Sequence, residues 1–192
     1  NDVDATEATF KACKQDFIAR EVLADLSGLS VNHSTRQHCT KIIFGNDKNP
    51  TLVYTDLSKE FPGYEFKNGK SLYLGEDPSE GGYVYAEPGI YFRAGLLDVE
   101  SLHPHSIIAL NLFGEYTWRY KDILEARLAI KHHDIEKARG MLGGVLAKYL
   151  ESEEQADKLA KALKIIINSI YGYTCATFAN PFKSPENVDN IV

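Results

Sequence analysis

No apolar run in this chain approaches the roughly 20 residues that a membrane span requires, and the first residues carry no basic segment followed by an apolar signal core. A cytosolic, unprocessed protein is the expectation. Cysteine is scarce: Cys13, Cys39 and Cys175 are odd in number and widely, irregularly spaced. That pattern suggests neither a disulfide framework nor a four-ligand zinc site, and buried or idle thiols are the default. His33, His38 and Cys39 have the chemistry of metal ligands, but nothing elsewhere completes a set. Positive charge is short as well. The formal net charge is -6, which argues against a protein whose whole surface is built to hold nucleic acid. Internal repeats and low-complexity segments are missing too.

What is present fits an ordinary globular protein: 192 residues, 44% hydrophobic and 25% charged, enough for one or two compact units. Charge is more informative locally. Residues 119–148 hold seven basic side chains (Arg119, Lys121, Arg127, Lys131, Lys137, Arg139, Lys148) against four acidic ones (Asp122, Glu125, Asp134, Glu136), so this segment is suited to face an anion.

Residues 4–27 read as a lead-in helix, with Phe10, Cys13, Phe17, Val22 and Leu26 at near-helical spacing and Gly28 placed to end it. The polar stretch 32–40 reads as a loop. Lys41 to Phe44 and Leu52 to Tyr54 are β-prone runs on either side of a Gly-Asn-Asp-Lys-Asn-Pro turn, which predicts a hairpin. Residues 61–82, rich in Gly, Pro, Glu and Lys, predict irregular connection with short strand. Tyr83 to Tyr85 and Tyr91 to Val99, joined by Glu87-Pro88-Gly89, predict an antiparallel pair with Asp98 at a strand end. Ile107, Ile108, Leu110 and Leu112 then suit a helix whose first turn tolerates Pro104. Residues 117–133 and 134–150 continue helical, weakened at Gly140 and Gly143-Gly144. Ser152 and Gln155 form a capping-box pattern for a last helix running to about Tyr171, with Glu153 and Glu154 where the helix dipole favours acid. The fold class is therefore α+β.

Two stretches stand out chemically. Asp98 ends an apolar run and precedes a turn into a helix, a geometry that gathers a carboxylate and several backbone N–H groups around one anion; satisfying local turn amides is the ordinary explanation of such an aspartate. On the last helix Lys161, Lys164, Asn168 and Tyr171 share one face, while Leu159, Leu163, Ile166 and Ile170 share another. Periodicity alone explains the lysines as a solvated face.

The residues themselves say more. Asp98-Val99-Glu100-Ser101-Leu102-His103-Pro104-His105-Ser106-Ile107-Ile108 resembles the metal-binding palm motif of family B DNA polymerases, and Lys164-Ile165-Ile166-Ile167-Asn168-Ser169-Ile170-Tyr171-Gly172 resembles their fingers motif. The resemblance is closest to polymerases of tailed bacteriophages, which share Lys41-Ile42-Ile43-Phe44-Gly45, Val84-Tyr85-Ala86-Glu87-Pro88-Gly89 and the histidine at 103. It implies a partial palm of antiparallel strands with a helical fingers hairpin and an N-terminal lead-in helix. The implied divisions are 1–30 (end of a 3′-5′ exonuclease domain), 31–112 (linker and partial palm), 113–172 (fingers) and 173–192 (return to the palm).

The resemblance further implies that Asp98 and the Val99 carbonyl hold catalytic Mg2+, that Ser101, Leu102, Lys164 and Asn168 meet the incoming deoxynucleoside triphosphate, and that Tyr171 with Gly172 shapes the floor under the templating base pair of a primer-template DNA. Arg127 and Lys131 match, more loosely, an arginine and lysine that grip the triphosphate. His103 departs from the family's tyrosine that packs under the deoxyribose, and His105 from its usual serine. Gly81 and Gly82 precede the palm, with Ser79 where the family has tyrosine. Asn1-Asp2-Val3 resembles the end of an exonuclease motif, which makes Asp2 a candidate metal ligand. The Asp-Thr-Asp motif that supplies the family's second catalytic aspartate is not in the sequence, so the chain reads as an internal fragment, inactive alone. A non-catalytic nucleotide or nucleic-acid binding module is the alternative, and a plain helical interaction unit the third reading.

Overall fold

The computed structural model describes residues 2–12, 14–68, 70–77, 86–176 and 178–183. The expected strand Tyr83 to Tyr85 and the positions Cys13, Ser79, Gly81 and Gly82 lie outside them. The described chain is mostly helical, with one small antiparallel sheet. Its elements are α1 (Asp2–Ala12), α2 (Lys14–Ser27), α3 (Thr35–Phe44), β1 (Tyr64–Lys67), β2 (Lys70–Tyr73), α4 (Leu102–Ala109), α5 (Thr117–Lys131), α6 (Ile135–Gly140) and α7 (Glu153–Thr174), with short 3-10 turns between them. Mixed α+β is thus the observed class. No described helix is long and apolar enough to cross a membrane.

α7 organises the core. Its apolar stripe, Leu159, Leu163, Ile166 and Ile170, is fully buried against Val22 and Leu23 of α2, Cys39, Ile43 and Phe44 of α3, and Tyr120, Ile123 and Leu124 of α5. Ser152 caps α7 as its sequence predicts, its hydroxyl accepting from the Gln155 N–H at 3.3 Å. Phe44, Phe113, Tyr120 and Phe182 close one end with edge-on and tilted ring contacts at 4.9–5.8 Å, a geometry aromatic quadrupoles favour. Burial pushes the Cys39 thiol up to about 12, which leaves it a small core hydrophobe.

Polar contacts then fix the connections. Gly28 ends α2 at φ +69°, its N–H bonded to the Ala24 carbonyl. Arg20 spans the turn that follows, donating to Thr35 Oγ1 at 3.1 Å and to the carbonyls of Val31 and His33 at 2.7 and 2.5 Å. Arg119 satisfies the Ile43 carbonyl at the end of α3, at 2.9 Å. Asp25 takes Lys148 at 2.7 Å and the Tyr149 hydroxyl, tying α2 to the turn before α7.

Several expectations are corrected. Residues 32–40 are not all loop and Lys41 to Phe44 is not a strand: Thr35–Phe44 is α3, because Ser34 and Gln37 form a reciprocal capping box and Cys39, Ile43 and Phe44 then fall on one buried helical face. The hairpin with Leu52 to Tyr54 is therefore absent; Val53 donates to the Leu112 carbonyl at 3.1 Å. The lead-in helix is found on both sides of residue 13, as α1 and α2 with Gly28 at its end, and α1 buries nothing. Residues 134–150 form α6 and two 3-10 turns, because Gly143 and Gly144 take φ of +69° and +76°. Tyr91 to Val99 is not a strand either: it has no regular structure and its large apolar side chains are exposed, Leu96 and Leu97 almost fully. Strand-like residues become a strand only where a ladder forms, and among the described residues this segment pairs with none. The hairpin that does form is β1–β2, pairing Tyr64 with Tyr73 and Lys67 with Lys70.

Replacing Leu163 by Ala, which leaves a cavity where α7 meets α5, is expected to lower unfolding free energy by about 3 kcal/mol; urea denaturation checks the value, and a loss under about 1 kcal/mol would show that α7 is not the organising helix.

Candidate nucleotide cleft

The chain reverses from the exposed segment 90–99 into α4 through Ser101, which takes a left-handed conformation, φ 57° and ψ 50°, and makes no side-chain capping bond. The amides opening α4 are thus left with the positive end of the helix dipole rather than with a cap. Pro104 and Ile107 are buried and seat α4 on the helices below. This brings the turn over the bare side of α7 and the C-terminal half of α5.

A cleft of about 250 Å³ results, lined by Asp98, Val99, Glu100, Ser101, Leu102 and His103 from the turn, Arg127 and Lys131 from α5, and Lys164 and Asn168 from α7. Three segments separated by more than twenty residues each therefore converge. Lys164 and Asn168 are exposed on α7, as the helical period requires when Leu163, Ile166 and Ile167 are buried. Neither side chain has a hydrogen-bond or ion-pair partner among the described residues.

Arg127 donates from Nη1 to the Ser101 hydroxyl at 3.3 Å, while its buried Nε has no partner. A buried guanidinium N–H without an acceptor is costly unless something else accepts from it. His105 Nδ1 lies 3.0 Å from the Ser101 carbonyl and so donates to it. Lys131 Nζ contacts Glu100 Oε1, and His132 Nε2 lies 3.6 Å from the same oxygen. The Lys131 contact holds the Glu100 carboxyl below the usual carboxylate range.

His103 and Tyr171 meet as a stacked pair, ring centroids 4.2 Å apart and planes 19° from parallel. Burial, followed by the neighbouring Cys175, pushes the Tyr171 phenol up to about 12. At the next residue, a Cβ added at Gly172 would meet nothing within 4 Å. Internal packing does not ask for glycine there, although a helix interior disfavours it.

The cleft thus gathers Asp98, Val99, Ser101, Leu102, His103, Arg127, Lys131, Lys164 and Asn168, with Tyr171 beside it through the stack. Asp2 is not among them: it opens α1, far along the chain, and its carbonyl accepts from Thr6 Oγ1 at 2.7 Å. Glu100 is the residue that sequence reasoning passed over. Its pairing with Lys131 joins positions 31 apart, and only an acid placed among four cationic or imidazole side chains hinted at it.

No three His, Cys, Asp or Glu side chains cluster as a metal site among the described residues. The cleft does hold one carboxylate without a partner among those residues, Asp98, beside the Val99 carbonyl. Magnesium is commonly held by one or two carboxylates together with water and phosphate oxygens, so these donors fit one such ion once a phosphate is present.

No protein-family model, no curated protein and no solved structure matches the chain.

A raised tyrosine pKa means that the neutral phenol is favoured in the folded state, so this contribution is complete below the unfolded value and is lost as pH rises through about 12. The difference in ultraviolet absorbance between the native sequence and Tyr171→Phe should therefore show one phenol ionising well above the ordinary range; ionisation at the usual pH would mean that the stack does not bury the ring.

Proposed function

We propose that the cleft binds the triphosphate of a deoxynucleoside triphosphate, and that the chain is part of a family B DNA polymerase that adds deoxynucleotides to a primer 3′-hydroxyl on a DNA template. The observation that carries this reading is the convergence itself. Residues of two separate motifs, and the Arg127 and Lys131 pair between them, line one cleft although no two of the three segments are close in sequence.

Each residue has a role that its surroundings support. Lys164 is a compact point charge for phosphate oxygens, and Asn168, four residues on, carries an amide donor to the same side. Arg127 offers a planar fork with an unsatisfied N–H. The open amides before α4 add donors suited to an anion. His103 stands at the sugar position, held flat against Tyr171. Asp98 and the Val99 carbonyl would hold magnesium, which supplies neutralisation of the phosphate charge. Gly172 leaves room for a base pair to lie against α7.

A second reading has its own support. Glu100, the other acid of the turn, is engaged by Lys131, which leaves one uncommitted carboxylate where a two-metal transfer uses two. On that reading the chain binds nucleotide or nucleic acid without catalysis.

Lys164→Ala is expected to weaken binding of a deoxynucleoside triphosphate roughly tenfold, the size of one charge-assisted hydrogen bond, by isothermal titration calorimetry with magnesium present. Unchanged affinity would remove the cleft from consideration. Gly172→Ala separates stability from function: it should leave the fold unchanged or stabilise it by up to about 1 kcal/mol while weakening primer-template DNA binding in a filter or anisotropy assay. Equal DNA affinity in the two proteins would take Gly172 out of the template floor.

A further inference from the structure

The three cations of the cleft are in different states. Lys164 has no partner among the described residues. Arg127 gives one long hydrogen bond to a hydroxyl and keeps a buried N–H unsatisfied. Lys131 alone is held by an anion, and that anion is part of the chain: Glu100 Oε1. Glu100 stands between Val99 and Ser101, so it reaches across the cleft mouth from the turn that precedes α4.

The contact is not needed for folding. Both side chains are largely solvated, 51% exposed for Lys131 and 38% for Glu100, and ion pairs in such surroundings contribute little to stability. Lys131 also lies in the last turn of α5, at the end of the helix dipole that favours a cation. A carboxylate oxygen and a phosphate oxygen are both acceptors only, and both seek the same ammonium group. His132 offers the carboxylate a second partner, since its Nε2 is already 3.6 Å from the same oxygen.

We propose that Glu100 is a built-in competitor for the phosphate position at Lys131: it occupies that position in the free protein, and an arriving triphosphate displaces it toward His132. The proposal rests on reading the cleft as a triphosphate site. It adds that affinity is set below what the cations alone would give, and that one acidic side chain sets it. No bond is made or broken in the exchange; one ion pair is replaced by another.

The test is calorimetric titration of the full chain with dATP and magnesium at fixed ionic strength, in four proteins: the native sequence, Glu100→Gln, Lys131→Ala and the double variant. Glu100→Gln is expected to tighten binding roughly fivefold, and in the Lys131→Ala background the same change should alter affinity by less than about twofold. Equal tightening in both backgrounds would overturn the proposal, because Glu100 would then act only as a nearby repelling charge. Absence of tightening would also overturn it. If the native chain binds dATP and loses affinity in Lys164→Ala while Glu100→Gln has no effect, the competitor falls and the triphosphate site stands. If neither the native chain nor Glu100→Gln binds, both fall. Binding that emerges only in Glu100→Gln supports the competitor. An independent readout needs no substitution at Glu100: its carboxylate 13C resonance should move when dATP is added to the native chain, and a resonance that stays in place while dATP binds overturns the displacement.

Discussion

The cleft depends on the burial of one side of α7. Leu159, Leu163, Ile166 and Ile170 each remove a large aliphatic side chain from water, worth about 1.5–3 kcal/mol apiece, and together they are comparable with the whole net stability of a domain. Helical geometry then leaves the opposite side bare, and that is where Lys164 and Asn168 stand. α5 reaches the cleft because it packs on the same helix, and α4 because Pro104 and Ile107 are buried beneath it. The site residues are thus carried by a core that does not include them, which is why their charges can be altered singly without the fold being at stake.

The overall acidity of the chain says little about this place. A net charge of -6 coexists with three cationic side chains on one small cleft, because acids elsewhere stand at helix starts, as Asp2, Asp4, Glu153 and Glu154 do, or beside lysines on solvated faces. Glu154 pairs with Lys158 and Glu7 with Lys11, each one helical turn away. An anion at the cleft would meet the local arrangement and its open donors, and within the screening length of physiological salt that arrangement outweighs the total.

Legibility in the sequence followed how local the cause was. α7 was readable because its cap, its acidic first turn and its apolar period all lie within the helix; the same holds for Gly28, for Pro104 and for the weakening at Gly143 and Gly144. α3 was misread because Lys-Ile-Ile-Phe is β-prone in isolation, and what makes it helical is a capping box seven residues upstream together with a core that buries Cys39, Ile43 and Phe44 on one side. Tyr91 to Val99 was misread for the converse reason: strand-like residues need a neighbouring strand, which no local pattern supplies. In the cleft, the individual residues were legible from their motifs. The His103–Tyr171 stack and the Glu100–Lys131 pair were not, since each joins positions that only the packing of α4 on α5 and α7 makes adjacent.

Ser101 adds a mechanical property. A serine in the left-handed region costs on the order of 1–2 kcal/mol of backbone strain, and here two contacts bear on it: Arg127 donates to its hydroxyl, and His105 donates to its carbonyl. Arg127 also lines the cleft. A ligand that recruits Arg127 withdraws one of the two supports of a single strained peptide, and that peptide is the pivot on which Asp98, Val99 and Glu100 are mounted. Occupancy of the cleft and the backbone conformation at its rim are therefore one thermodynamic equilibrium rather than two.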